Sequence, residues 1–341
     1  MAINQAFLGH SIFAQLSIRG ALTRFQGYGA APGSPPPTDT QRIDRFIQAI
    51  KDMDIRNVWI QLFSRPGDVE DNDTDRKLRT ALIAALGQAG IGWAGWGYCA
   101  GKNSGRDKGL VQQFQNDLKM SAFMIDAEPG NKVYPNPKFP KDPSKNLPDI
   151  WKEADFDDFT SSLQKEFGID NLALTTWPVL QIQDDVANGI PLIALMKIAA
   201  PRVCAFVPQA YWMNYPTTVH YGFGLSKNDY PPNDPVSFVR LVLKSWSMLG
   251  FTQPLIVAGQ SYWGEGGPNE AIMDGKLGNF TSKFADWAQI LGFGWYHAGT
   301  TNTPKNDSMS DTMISTIKQA RLGGKPYEPP PASPASAPAM V

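Results

Sequence analysis

Asn57–Phe63 reads NVWIQLF, Gly92–Cys99 reads GWAGWGYC, and the stretch between them, Thr74–Ala89, reads as a helix with Asp73 or Thr74 at its N-cap. Two short, nearly continuous apolar runs joined by a helix are the pattern of parallel strands linked by a crossover. Strands covered on both faces have no polar side to show. Upstream, a first strand is placed near Ile12–Ile18, followed by a Pro/Gly-rich loop, Gly27 to Pro37. A helix over Thr40–Met53 then puts Ile43, Phe46, Ile47 and Ile50 on one face. Downstream the alternation continues. Strands are read at Ala122–Asp126, Leu172–Trp177, Cys204–Trp212, Leu255–Tyr262 and Gly294–His297. Helices are read at Leu110–Leu118, Phe156–Phe167, Ile190–Ala199, Val236–Leu249, Phe280–Leu291 and Thr312–Arg321. Pro208 is expected at the end of the sixth strand or at a bulge.

Eight strand–helix units without a break predict an α/β chain folded as a single (β/α)8 TIM barrel over residues 1–322, with long loops after the fourth strand (Pro129–Pro148) and the sixth (Pro216–Asp234). A doubly wound open sheet is disfavoured because no GxGxxG or Walker loop follows an early strand. From Gly323 the tail GGKPYEPPPASPASAPAMV reads as a flexible extension, residues 323–341.

Composition narrows the function classes. The 341 residues carry 31 basic and 32 acidic side chains, a formal net charge of -1, which favours neither nucleic acid nor an anionic membrane as partner. No apolar run is long enough to span a bilayer, so no membrane insertion is expected. Met1 to Leu22 lacks the basic and apolar regions of a signal peptide, which reads as a cytoplasmic protein or one exported by a leaderless route. Two cysteines, Cys99 and Cys204, read as buried thiols rather than a disulfide framework. Three histidines, His10, His220 and His297, form neither HxH nor HExxH, so no metal is implied, and nothing points to an organic cofactor. No GxSxG occurs.

In a barrel enzyme the chemistry lies at the C-terminal strand ends. Those ends are rich in aromatic and amide side chains: Trp96 and Tyr98 on the third strand, Trp177 on the fifth, with Gln181 and Gln183 just beyond. Gln209, Tyr211 and Asn214 follow on the sixth, Tyr262 on the seventh, and Trp295, Tyr296 and His297 on the eighth. Flat amphipathic rings stack on the apolar faces of sugars while amides and carboxylates bind hydroxyls, so these residues are read as carbohydrate contacts. Each ring taken singly is equally well explained by packing beneath the loops.

The fourth strand ends in Asp126-Ala127-Glu128. Residues two apart in extended chain point to the same side. Two carboxylates held close resist double ionisation, and glycosidic cleavage needs one protonated acid to receive the leaving oxygen. Glu128, nearer the mouth, is assigned as general acid and Asp126 as its assistant. Glu265, in the Gly-flanked loop after the seventh strand, is the candidate nucleophile or base, and a solvated loop residue is the alternative reading. Asp68, Glu70, Asp184 and Asp185 read as loop charges.

The Asp126-Ala127-Glu128 ending resembles the DxE of barrel glycoside hydrolases of the chitinase and muramidase (lysozyme) types. Gln209-Ala210-Tyr211 with Asn214 resembles the Gln-x-Tyr and Asn cluster of the chitinase-type barrels. The resemblance implies that Glu128 protonates the glycosidic oxygen, that Tyr211 helps hold an acetamido group, and that Trp295-Tyr296 form an aromatic floor. The chitinase pattern has an extra Asp where this chain has Met124, and the early Asp of the muramidase type is absent near Ile12–Ile18. The reading is therefore a glycoside hydrolase acting on a polysaccharide or cell-wall glycan, with an oligo- or polysaccharide as its partner. The rival is a non-catalytic carbohydrate-binding or structural barrel tethered to a larger assembly. A Schiff-base lyase or aldolase is disfavoured because no Lys sits near a strand end.

Overall fold

The computed structural model describes residues 3–64, 72–128, 133–134, 147–148, 151–184, 190–212, 234–260, 277–278, 290–296, 309 and 311–320. Its centre is a closed, all-parallel barrel of β1 (Gly9–Ala14), β2 (Asn57–Phe63), β3 (Gly92–Tyr98), β4 (Phe123–Asp126), β5 (Leu172–Thr176), β6 (Ala205–Ala210), β7 (Leu255–Gln260) and β8 (Ile290–Tyr296). Sequential strands are neighbours throughout, and β8 closes the ring on β1 through Gly9↔Gly292 to Ile12↔Trp295. The chain is thus a (β/α)8 barrel. Within the long segment after β4, Val133–Tyr134 pairs antiparallel with Leu147–Pro148.

Helices cover the strands where the apolar stripes demand it. The helix at Asp39–Asp52 turns Ile43, Phe46, Ala49 and Ile50 inward and opens with a capping box between Thr38 and Gln41. The next, Asp73–Gln88, is capped by Asn72, whose side chain accepts from Asp75 N, one residue before the first of the two expected caps and two before the second. The helix at Ser104–Leu118 begins six residues earlier than the apolar pattern indicates. Its first turn is polar and is anchored by buried Asp107, which accepts from Ala100 N at 2.9 Å. A short helix at Ile18–Arg24, capped by Ser17, takes the place of the expected end of the first strand. Leu16 and Ile18 prolong the apolar run, but the hydroxyl cap at Ser17 ends the extended chain.

β8 starts at Ile290, four residues before its expected start, so Ile290 and Leu291 are strand rather than the end of a helix. The rest of that expected helix and the tail 323–341 lie outside the described residues. Pro208 lies inside β6, and the register with β7 runs unshifted from Phe206↔Leu255 to Ala210↔Gly259, so it sits neither at the strand's end nor at a bulge as expected. The neighbouring Val207 carbonyl accepts from Thr175 Oγ1 at 2.7 Å.

Side-chain alternation divides the apolar residues into two layers. Outside the barrel, beneath the helices, lies the larger cluster. Inside, Phe13, Trp59 and Trp96 from the first three strands face Ala173, Ala205 and Ala258 from the later ones, so large rings fill the space left by small residues. The Trp59 indole lies so close to β8 that a Cβ on Gly294 would meet its Cζ3 at 2.2 Å. Glycine is needed there for close approach. The Trp59 Nε1 donates to the Ala6 carbonyl at 2.8 Å, tying the N-terminal turn across the barrel floor. Among the described residues no helix is long and apolar enough to cross a membrane.

Candidate active site

The Asp126–Glu128 segment continues the barrel past the last residue of β4. Cys99 N donates to the Asp126 carbonyl and Ala127 N to the Thr175 carbonyl. The Ala127 carbonyl accepts from Thr176 Oγ1 at 2.6 Å, and the Glu128 carbonyl from Tyr98 Oη at 3.0 Å. Extended backbone is therefore enforced from both neighbouring strands. Ala127 packs into the outer cluster, which leaves Asp126 and Glu128 to the inner side.

Gln209 of β6 reaches them. Its Nε2 donates to Glu128 Oε1 at 2.7 Å and lies 3.3 Å from Asp126 Oδ1. An amide nitrogen carries two hydrogens, one for each carboxylate. Asp126 is 5% exposed and Gln209 is 9% exposed, while Glu128 is half-buried. One acid is thus sunk into the barrel and the other stands above it toward solvent, both oriented by one side chain from two strands away.

Opposite is an aromatic wall. Tyr296 of β8 and Tyr211 beyond β6 are half-buried, with ring centroids 5.2 Å apart. Tyr296 rests edge-on against the buried rings of Phe13 (5.5 Å) and Trp96 (6.4 Å). Trp96 is fixed by its own indole N–H, which donates to the Trp59 carbonyl at 3.1 Å. Gln15, just past β1, donates to Tyr296 Oη at 3.3 Å. β8 lies four strands from β4 in either direction round the ring, so Tyr296 stands across the mouth from the carboxylates, while Tyr211, just beyond β6, lies between them round the ring.

The described site thus brings together Asp126, Glu128, Gln209, Tyr211, Trp96 and Tyr98. It does not include two of the expected carbohydrate contacts. Trp295 is fully buried in the outer layer, and its indole N–H donates to His10 Nε2. Consecutive strand residues face opposite sides, so Trp295 and Tyr296 cannot both line the mouth, and the inward one is Tyr296. Trp177 is half-buried against the outer cluster. Gln181 is also directed into the helix layer, donating to the Ser245 carbonyl at 2.8 Å, and Asp184 accepts from Ile193 N. Glu265, Asn214, Tyr262 and His297 lie outside the described residues. The residue not foreseen is Gln15, which nothing in the sequence marks. Tyr296 is expected beside Trp295, and strand parity within Ile290–Tyr296 is the signal that separates the two.

Burial pushes the His10 imidazole down from 6.5 to about 3, so it stays neutral. Its Nδ1 lies 3.2 Å from the Asp54 carbonyl and carries the proton, which leaves Nε2 to accept from Trp295. Cys99 and Cys204 are buried and not disulfide-bonded. Burial holds the Cys99 thiol well above its usual range and raises that of Cys204 to about 12, so neither is a nucleophile at neutral pH. Among the described residues no three His, Cys, Asp or Glu side chains gather as metal ligands.

No family model matches the sequence, and no curated protein matches it. Solved structures do. The C-terminal domain of a putative chitinase from Desulfitobacterium hafniense is 10% identical over 92% of this chain and 99% of its own, with a TM-score of 0.54. The spore cortex-lytic enzyme SleL of Bacillus megaterium is 9% identical over 94% of this chain and 75% of its own, at 0.51. A β-glucosidase from Exiguobacterium marinum is 11% identical over 94% and 99%, at 0.50. At such identities the likeness is one of fold. The chain has the (β/α)8 barrel on which these glycoside hydrolases are also built.

Proposed function

We propose that this chain is a glycoside hydrolase that cleaves a polysaccharide or cell-wall glycan, with Glu128 as general acid. The observation that carries the reading is the single Gln209 amide joining Asp126 and Glu128 at the barrel mouth, opposite a tyrosine wall. The barrel neighbours, by name a putative chitinase, a cortex-lytic enzyme and a β-glucosidase, support the same class.

In this reading a sugar ring lies against Tyr211 and Tyr296, with its scissile oxygen toward Glu128. The Glu128 carboxyl gives its proton to that oxygen as the C1–O bond breaks, and the leaving chain departs as an alcohol. Positive charge builds on the anomeric carbon and ring oxygen. Asp126, set deeper in the barrel, faces that charge and stabilises it electrostatically. Gln209 prevents either carboxylate from swinging away. Water then attacks the anomeric carbon, directly or after a covalent or acetamido-assisted intermediate. Glu265 is the proposed nucleophile or base where the substrate carries no acetamido group.

The test is reducing-sugar release from chitin oligomers, peptidoglycan and β-glucans by wild type and Glu128→Gln. Release should fall about 10²- to 10⁴-fold in the variant, the share that a positioned general acid contributes. Equal release by both proteins contradicts the assignment of Glu128. Binding without release from any of the glycans contradicts the enzyme and leaves a carbohydrate-binding barrel.

A further inference from the structure

We infer that Gln61 of β2 is a further substrate-binding residue, whose amide hydrogens meet an oxygen of the glycan in the barrel mouth. The inference rests on the proposed carbohydrate site. Every residue of β2 is buried except Gln61. Parity fixes the direction of its side chain. Trp59, two residues earlier, fills the barrel interior, while the flanking Ile60 and Leu62 pack in the outer cluster. An inward residue of a closed barrel, with an indole beneath it, reaches solvent only upward, through the mouth.

The inward face of β2 also ends at this residue. The register with β3 slips between Gln61↔Trp96 and Phe63↔Gly97. A slip of this kind re-aims the side chains beyond it. Phe63, which parity alone would send inward, packs in the outer cluster and stacks on Phe123 at 6.2 Å. No later residue of β2 covers Gln61. Round the ring, β2 stands four strands from β6 in either direction. A sugar held between the β4 carboxylates and Tyr296 therefore has Gln209 and Tyr211 along one edge and Gln61 along the other.

The Gln61 amide is oriented in advance. The Leu16 backbone N–H, which can only donate, meets Gln61 Oε1 at 3.0 Å. The oxygen is thereby committed to the chain leaving β1, and Nε2 is the end offered to the mouth. That nitrogen lies 3.5 Å from the Phe63 carbonyl, the outer limit of a hydrogen bond, and has no other partner among the described residues. Its two hydrogens leave at least one for a ligand. Sugar hydroxyls and acetamido carbonyls are acceptors of the matching kind. Because the side chain is held before binding, the contact adds affinity at little ordering cost. The effect falls on Kd and KM, and proton transfer at Glu128 is left alone.

The test uses Gln61→Met, which keeps the length of the side chain and removes its amide. Chitopentaose, cellopentaose and laminaripentaose serve as probes. Kd is measured in the Glu128→Gln background, and KM and kcat on whichever oligosaccharide is cleaved when Glu128 is present. Kd and KM should rise about three- to tenfold, the scale of one hydrogen bond, with kcat within about twofold. An unchanged Kd overturns the inference, and a lowered melting temperature beside it would assign Gln61 to anchoring Leu16 alone. A fall in kcat with KM unchanged overturns it as well. A crystal structure of Glu128→Gln with bound oligosaccharide reads the same contact with Gln61 intact, so the inference stays open to test even where Gln61→Met does not fold. A glycan oxygen within about 3.2 Å of Gln61 Nε2 is expected. A sugar in the mouth that leaves this nitrogen to water contradicts it. Each of these failures leaves the enzyme reading intact, whereas absence of binding to all three oligosaccharides overturns both.

Discussion

The ends of β4 and β8 face each other across one mouth and carry opposite kinds of information. At β4, two acids separated by one alanine are held on the inner side by backbone bonds from both neighbours. At β8, two aromatic residues in succession are sent to opposite sides of the sheet, one to the core and one to the site. The first end is built for charge and the second for a flat surface. A motif with a gap of two keeps both its members in the site, whereas a motif of adjacent residues gives up one of them to the barrel wall.

The sharpest way to separate the two faces of β8 is to truncate each residue in turn. Trp295→Ala empties a fully buried position and should cost about 3–5 kcal/mol of stability, with oligosaccharide affinity of the folded protein unchanged. Tyr296→Ala should show the reverse in denaturant titration and binding assays, a modest stability loss with a clear loss of affinity. If Trp295→Ala abolishes binding without lowering stability, the division between the faces is wrong.

At the β4 end the expected effect is next in size. Asp126→Asn keeps the shape and removes the charge, and should lower kcat about 10²-fold with little change in KM. Gln209→Leu releases both carboxylates from their common donor and should cost about 10- to 100-fold in kcat. A rise in KM alone, for either variant, would place these residues in substrate binding instead.

Smaller effects bear on the wall behind β8. Gly294→Ala puts a methyl group into the Trp59 indole and should cost about 1–3 kcal/mol in a denaturant titration. A neutral result would mean that the interior rings yield more readily than their contacts imply. The His10 tie should appear as acid sensitivity. The folded imidazole resists protonation down to about 3, while the unfolded one takes a proton near 6.5. The unfolded chain therefore binds more protons between those values. The His10 contribution is complete above about pH 6.5 and is lost as pH falls toward 3, with a slope approaching about 1.4 kcal/mol per pH unit. In His10→Gln that slope should flatten by up to this amount when unfolding is followed against pH, and an unchanged slope would contradict a neutral buried His10.

Much of the barrel was legible in the sequence because buried parallel strands leave continuous apolar runs, and Asn57–Phe63 has the same bounds in sequence and structure. The errors fell where polar side chains decide the ends. Ser17 starts a helix inside an apolar run, and Asp107 holds a helical first turn that has no apolar stripe. Of the site, the carboxylates and Gln209 were legible through spacing and strand position. Trp295 was not, since composition signals an aromatic without saying which face it takes. Gln15 follows a strand end that the sequence places four residues too late, so its proximity to Tyr296 exists only once the ring has closed.

The central claim is that sugar binds between the Asp126–Glu128–Gln209 group and the Tyr211–Tyr296 wall. The most direct measurement is a crystal structure of Glu128→Gln soaked with whichever pentasaccharide it binds. A pyranose lying on the Tyr296 and Tyr211 rings, with its glycosidic oxygen in hydrogen-bonding reach of position 128, is the predicted result. A sugar bound elsewhere on the molecule, with that mouth left open to solvent, would contradict the account.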